Sequence, residues 1–119
     1  MPDGGEIKTT FETDTYSHPD TTTETDLVEY TGLKNYIVTN LDMSNFGEST
    51  TVRVYDKVDG TNYRQVSQKI YPDDYETGTE VATFVLDGAG QDMKVTLQSA
   101  VAEGGATSVP ADIRSTIRL

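Results

Sequence analysis

The segment 50–71 constrains the fold most strongly, because it predicts two β-strands joined by a tight turn. Val52 and Val54 alternate with longer polar side chains, which puts two β-branched residues on one face of an extended strand. Asp59-Gly60 marks the turn, because this pair is favoured where a two-residue hairpin turn needs positive φ at both central positions. The segment therefore predicts an antiparallel hairpin.

The rest of the chain repeats short strand patterns between turn residues. The segments with such patterns are 27–31, 34–43, 80–86, 92–101 and 112–119. No segment keeps an apolar period of 3.6, so little helix is expected. Short strands at regular spacing in 119 residues predict an all-β fold, an antiparallel β-sandwich of seven to eight strands with jelly-roll or immunoglobulin-like topology. Because residues 80–86 are apolar on both faces, that strand is expected in the middle of its sheet.

Residues 1–26 differ from the rest in composition. They hold seven acidic residues against Lys8 alone, and threonine fills much of the remainder. So little apolar surface predicts an acidic, Thr-rich N-terminal arm over 1–26, followed by the β-sandwich domain over 27–119. Two alternatives remain for the arm. It is a disordered tail, or Ile7, Thr9 and Phe11 form a strand that adds to a neighbouring subunit.

The charge and the residue types exclude several classes of partner. A net charge of −11 disfavours nucleic acid and anionic membranes, since both need clustered Lys and Arg. The acidity is explained either by ordinary solubility or by adaptation to high salt. There is no cysteine to form a disulfide or a thiolate site. No signal peptide and no apolar run of membrane-spanning length is seen, so the chain is expected to be made in the cytoplasm.

No residue pattern in the sequence names a reaction. His18 is the sole histidine and falls in the predicted arm, where no third group would hold it rigidly as a base. Asp73, Asp74 and Glu76 share one loop and are candidate ligands for Ca²⁺ or another hard cation, although their spacing does not match a dedicated calcium loop. The alternative is that they are solvated loop carboxylates. We therefore expect no enzyme, and no cofactor other than such a cation.

The tyrosines of the hairpin are candidate contact residues. Tyr55 and Tyr63 flank the predicted turn. Tyrosine is enriched in interfaces because its ring buries area while its hydroxyl keeps a hydrogen bond. It also serves as a platform for sugars, and it also covers sheet faces with no partner at all.

The segments 51–64 and 93–100 resemble a family of small viral proteins. Their residues, TVRVYDKVDGTNYR and MKVTLQSA, are similar to an I/V-R-V-Y-x-K-V-D-G-T-N-Y-R … K-V-T-L-Q pattern in small β-sandwich proteins of archaeal tailed viruses and proviruses. The resemblance implies a non-enzymatic virion structural protein, such as a capsid decoration, turret or spike subunit. It supplies no catalytic residue.

A shell protein works by complementarity between copies and needs no active site. The resemblance therefore implies a virion-located homo-oligomer, and we expect a trimer or pentamer that docks on other capsid proteins at high salt. The predicted interface residues are Ile7, Thr9, Phe11, Tyr55, Tyr63, Arg114 and Arg118. The arginines are included because Arg suits interfacial ion pairs. The alternative is a monomeric module that binds a host surface glycan or receptor.

Overall fold

A computed structural model describes residues 7–30, 36–57, 59–86 and 92–118, and places eight β-strands there. The strands are β1 (Ile7–His18), β2 (Thr25–Tyr30), β3 (Tyr36–Asp42), β4 (Thr50–Asp56), β5 (Arg64–Tyr71), β6 (Val81–Leu86), β7 (Met93–Ser99) and β8 (Thr107–Arg118). This confirms the all-β prediction and the count of strands. Within the described ranges no helix has the length and apolarity to cross a bilayer.

The strands form two four-stranded antiparallel sheets. Sheet A has the order β1-β8-β3-β6, and sheet B has the order β2-β7-β4-β5. The pairs β1–β8, β2–β7, β3–β6 and β4–β5 are what a single long hairpin makes when it is folded over into two layers. That is the topology of a jelly roll, so the structure decides between the two sandwich topologies that the sequence left open.

The core lies between the two sheets and follows the alternation of the strands. Val52 and Val54 of β4 point inward with Val95 and Leu97 of β7, and all four are buried. Leu41 of sheet A packs in the same cluster. Each such side chain contributes about 1.5–3 kcal/mol when fully buried. The predicted inward faces of both strands are therefore confirmed.

The hairpin of β4 and β5 is confirmed, but its turn is longer than predicted. The strands end at Asp56 and resume at Arg64, and Gly60 has a φ of 80°. Asp59 Oδ1 accepts hydrogen bonds from the backbone N–H groups of Thr61 and Asn62, at 2.8 and 2.7 Å. These bonds lower the pKa of Asp59 to about 2. Because its carboxylate replaces backbone acceptors, the chain makes a wider loop than a two-residue turn.

The described part of the predicted N-terminal arm belongs to the sandwich. Residues 7–18 form β1, which pairs antiparallel with β8 of the same chain from Ile7↔Arg118 to His18↔Thr107. Residues 25 and 26 already lie in β2. The low apolar content of residues 1–26 does not prevent a strand there, because a strand at a sheet margin needs a partner backbone more than it needs buried side chains. Twelve residues of β8 provide that partner.

The position of β6 also corrects the sequence analysis. Residues 80–86 are apolar on both faces and were expected in the middle of a sheet. The structure puts β6 (Val81–Leu86) at the margin of sheet A, paired only with β3 among the described strands. Ala82 and Phe84 are buried, whereas Val81 and Val85 are 45% and 57% exposed. The outer apolar face is thus left to solvent.

Candidate assembly surfaces

The two margins of the sandwich differ in how they are built. We call the margin formed by β1, β2 and the connection 19–24 the closed side, and the margin formed by β5 and β6 the open side. On the closed side β1 and β2 make direct contacts across the sheets. On the open side a groove of about 500 Å³ separates β5 from β6.

His18 anchors the closed side in the core. Its side chain is 1% exposed, and its Nδ1 and Nε2 lie 3.0 Å from Thr25 Oγ1 and 3.2 Å from Ser99 Oγ. Its ring packs against Phe46 with centroids 5.8 Å apart. Burial lowers the pKa of His18, and nearby Glu103 opposes this only in part. The composition of residues 1–26 predicted an arm in which no third group would hold His18. The apolar-polar alternation of Tyr16, Ser17 and His18 is the sequence signal for a strand at this position.

The pairing of His18 with Ser99 is not a catalytic arrangement. Ser99 is only 2% exposed, so neither substrate nor water has a path to its hydroxyl. The other ring nitrogen of His18 faces the Thr25 hydroxyl, so the carboxylate contact that orients the imidazole of a catalytic triad is missing at that nitrogen. Both contacts instead tie β1 to β2 and β7, and so hold the two sheets together.

Glu24 fastens the connection 19–24 to the outer face of sheet B. Its Oε2 accepts hydrogen bonds from Tyr55 Oη and Thr96 Oγ1, each at 2.5 Å, and its Oε1 lies 3.4 Å from Arg53 Nη1. Partial burial works to raise the pKa of Glu24. The bonds from Thr96 and Tyr55, with Arg53 alongside, outweigh that effect and lower it. Gln98 adds a hydrogen bond to the backbone oxygen of Thr22, at 3.1 Å.

The same face holds Tyr63 between two lysines. Lys57 Nζ and Lys94 Nζ each lie 4.8 Å from the centre of the Tyr63 ring, and Lys94 also pairs with Asp26 at 3.1 Å. The Tyr63 hydroxyl donates to Glu29. Burial, and then this carboxylate, raise the pKa of Tyr63. Tyr55 and Tyr63, the predicted interface tyrosines, therefore both make contacts within their own chain.

The other predicted interface residues lie on β1 and β8. Through the register of these strands, Ile7 pairs with Arg118 and Phe11 with Arg114, while Thr9 lies between them on β1. Arg114 is exposed and lies 3.4 Å from Asp112. The side chains of residues 7–11 and of Arg118 lie outside the described part. The structure thus brings five of the seven predicted interface residues together along one strand pair.

The predicted cation loop gathers no metal site within the described ranges. No group of three or more His, Asp or Glu side chains there is arranged to hold a metal ion. Asp73, Asp74 and Glu76 are exposed. Asp74 Oδ2 accepts a hydrogen bond from the backbone N–H of Ile70 at 2.7 Å, so this carboxylate covers a donor of β5.

Three of the four large hydrophobic side chains that the described residues expose lie on the strands of the open side. Val66 and Val85 line the groove between β5 and β6, and Val81 lies on the outer face of β6. Lys69 is the only charged residue among the groove-lining residues, and its Nζ lies 4.6 Å from the ring centre of Tyr75. The groove is thus apolar with one cation at its wall.

The sheet margins differ in how they are protected against pairing. Native proteins protect edge strands with charged residues, because unpaired N–H and C=O groups invite another strand. On β1, Glu12 and Asp14 supply negative charge, which repels another acidic edge but attracts a surface that carries a cation, and Asp14 Oδ1 accepts the N–H of Thr15 at 2.8 Å. On β5, the charge of Lys69 and the hydrogen bond from the Ile70 N–H to the Asp74 carboxylate protect the edge. β6 has neither a charged residue nor a proline.

A second groove, of about 620 Å³, lies on sheet A. Its lining combines the apolar side chains of Val81, Pro110 and Ala111 with polar ones such as Asn40 and Asp42. No aromatic ring lines this groove. The concave aromatic patch that the glycan-binding alternative predicts does not occur at this groove.

Comparison with known proteins defines a fold class and no family. No protein-family model matches the sequence, and no curated protein sequence matches it. A solved protein of Bacillus endospore appendages, which form disulfide-linked pili, covers 98% of this chain and 96% of its own, with 14% identity and a TM-score of 0.63. The Yersinia pseudotuberculosis-derived mitogen covers 87% of this chain and 84% of its own, with 8% identity and a TM-score of 0.57.

A weaker likeness is to a chain from infectious bursal disease virus, with 14% identity and a TM-score of 0.42. It covers 95% of this chain and 33% of the viral one. At these identities the likenesses concern the fold alone. The chain is thus a jelly-roll β-sandwich, a class that includes both assembling and ligand-binding proteins.

Proposed function

We propose that this protein is a non-enzymatic structural subunit that assembles with copies of itself through the open side of its jelly roll. The observation that carries the proposal is β6, a sheet margin that pairs only with β3 among the described strands and has no charged residue and two exposed valines. A strand with the composition of a sheet centre, placed at a margin, gains backbone hydrogen bonds and buries apolar area when a second copy covers it.

The fold of a pilus-forming protein supports this reading, with one difference in chemistry. The Bacillus appendages are disulfide-linked, whereas this chain has no cysteine. Any assembly of this chain therefore forms without disulfide links, and we propose noncovalent contacts that depend on salt and concentration. A net charge of −11 on every copy opposes assembly at low ionic strength, and screening at high salt relieves that repulsion.

Within this function we propose the role that the sequence resemblance implies, a virion decoration, turret or spike subunit that docks on a shell at high salt. The supporting features are the acidity and the family resemblance of segments 51–64 and 93–100. The proposed copy number is a trimer or pentamer, because a contact between unlike surfaces closes into a ring when its rotation allows. The proposed location is the virion, after synthesis in the host cytoplasm.

Solution mass by light scattering, from low to multimolar salt, tests the proposal. We expect a monomer at low salt and a discrete larger species at high salt. Val85→Lys puts a charge on β6 and should keep the protein monomeric. Val101→Lys is the matched control, because Val101 is 53% exposed and Val85 57%, and Val101 lies in the connection between β7 and β8 rather than on a strand of the open side. A monomer at every salt concentration would refute self-assembly, and glycan-array binding by that monomer would support the receptor-binding alternative.

A further inference from the structure

We infer that the open side receives the β1 edge of a second copy, so that sheet A continues from one molecule into the next. This inference rests on the proposed self-assembly and names the two surfaces that meet. They are the groove between β5 and β6, and the acidic margin of β1 (Ile7–His18).

The topology of sheet A suits such a continuation. Its strands alternate in direction from β1 through β8 and β3 to β6, so the first and last strands run antiparallel to each other. A second copy that is rotated about an axis parallel to the strands keeps its strand directions, so it presents β1 antiparallel to β6 and keeps the alternation of the sheet. Repeating that rotation closes a ring of the proposed size when the angle divides a full turn. β6 has 6 residues and β1 has 12, so one β1 strand is long enough to cover the whole of β6.

The charges on the two surfaces are complementary. Glu12 pairs with Ile113 and Asp14 with Ala111, so both acids leave β1 on the core-facing side of sheet A, where they are exposed at its margin. Lys69 pairs with buried Val52, so it leaves β5 on the core-facing side of sheet B. A β1 strand beside β6 would therefore point its acids across the groove toward Lys69.

The margin of β2 is the weaker candidate for the same groove. Its acids are already engaged, since Asp26 pairs with Lys94 and Glu29 accepts from the Tyr63 hydroxyl. By contrast, no cation pairs with Glu12 or Asp14 in the part of the chain described. Complementary charge of this kind selects the partner surface and its register, while apolar burial at Val66 and Val85 supplies affinity.

A charge-exchange experiment tests this arrangement at the lowest salt concentration at which the parent assembles. Glu12→Lys/Asp14→Lys reverses the β1 margin, and Ser67→Glu/Lys69→Glu reverses the groove wall. Each variant alone is expected to stay monomeric. An equimolar mixture should assemble, because reversed β1 meets reversed groove and native β1 meets native groove. Carrying all four substitutions in one chain should also restore assembly.

Controls separate a specific contact from a change in net charge or in folding. Glu48→Lys/Asp73→Lys changes the charge as much as the β1 variant does, at exposed loop residues, and should still assemble. Glu12→Gln/Asp14→Asn keeps an acceptor for the Thr15 N–H and should need about a fivefold higher protein concentration for half-assembly. If the Glu12→Lys/Asp14→Lys variant does not fold, this double amide variant tests whether the two acids of β1 contribute to assembly.

The outcomes distinguish failure of the inference from failure of the proposed function. A parent protein that is monomeric at all salt concentrations refutes self-assembly and the inference together. A parent that assembles, with β1 variants that assemble equally well, refutes only the head-to-tail arrangement and points to contact between two open sides. Variants that are monomeric both alone and when mixed also refute it, because the two charged surfaces then do not meet.

Discussion

The closed and open sides of this jelly roll differ in how the margins of the two sheets are covered. Both are sheet margins that leave backbone groups and core side chains near solvent. On the closed side, His18 bridges the sheets from within, and Glu24 fastens the connection 19–24 to sheet B. On the open side, β6 exposes Val81 and Val85 beside a groove. Hydrogen bonds within the chain thus cover the margin on the closed side, whereas the open side keeps the exposed apolar side chains that are typical of an interface.

The largest effect is expected from removing the bridge on the closed side. His18→Ala should lower the free energy of unfolding by about 2–4 kcal/mol, because it leaves a cavity and deprives two hydroxyls of their partner. Urea denaturation measures this. Val66→Ala on the open side, where the side chain is 53% exposed, is the matched control and should change it by less than about 0.5 kcal/mol. An equal loss of unfolding free energy at the two positions would contradict the difference between the closed and open sides.

A smaller effect is expected from releasing the connection on the closed side. Glu24→Ala removes the acceptor shared by Tyr55 and Thr96, and should cost about 1–2 kcal/mol after allowance for its partial exposure. Hydrogen exchange should show faster exchange confined to residues 19–24. Glu76→Ala, at an exposed loop carboxylate, is the control. Unchanged exchange in 19–24 would show that Glu24 does not hold the connection.

The closed side should also make stability depend on pH near neutrality. Burial lowers the pKa of His18, so the unfolded chain binds a proton at a higher pH than the folded protein does. The free energy of unfolding should therefore fall as the pH drops below about 6.5 and level off below the folded-state pKa, with a slope of up to about 1.4 kcal/mol per pH unit.

His18→Gln should lack this slope while keeping polar partners for Thr25 and Ser99. Glu24 and Asp59 have lowered pKa values, so their loss of stabilising charge falls in a more acidic range and does not overlap. Thermal unfolding measured from pH 7.5 to 5 checks the prediction. The same slope in the variant would assign it to other groups.

The smallest effect is expected from polar substitution on the open side. Val85→Thr keeps the shape and β-propensity of the side chain and should change the free energy of unfolding of the monomer by less than about 0.5 kcal/mol. Val54→Thr, at a position 1% exposed, should cost about 2 kcal/mol because it buries a hydroxyl. Chemical denaturation at low salt compares the two. A large cost at Val85 would mean that the open side is part of the monomer's core.

The sequence predicted the parts of the fold that depend on local alternation. The inward faces of β4 and β7 follow from Val52, Val54, Val95 and Leu97, whose spacing matches the period of a strand. The same pattern predicted the hairpin, but it did not predict the length of the turn. Whether Asp59 forms a two-residue turn or caps a wider loop depends on which N–H groups its carboxylate reaches, and composition does not specify that.

The candidate surfaces were much less predictable. Tyr55 and Tyr63 were identified as contact residues from residue type, but their partners Glu24 and Glu29 are 31 and 34 residues away in sequence. His18 looked unsupported because Ser99 lies 81 residues further along the chain. Contacts of this range arise only when the two sheets pack, so no local pattern indicates them.

The sequence by itself determined that this chain forms short antiparallel strands with a β-sandwich core, because side-chain alternation and turn residues act over a few positions. Only the tertiary structure decided which strands lie at the margins. A strand that is apolar on both faces has the same local pattern whether or not a neighbour covers it, so β6 resembled a central strand in sequence. Strand order is set by pairing between distant segments, and that order leaves β6 beside the groove with β3 as its one partner among the described strands.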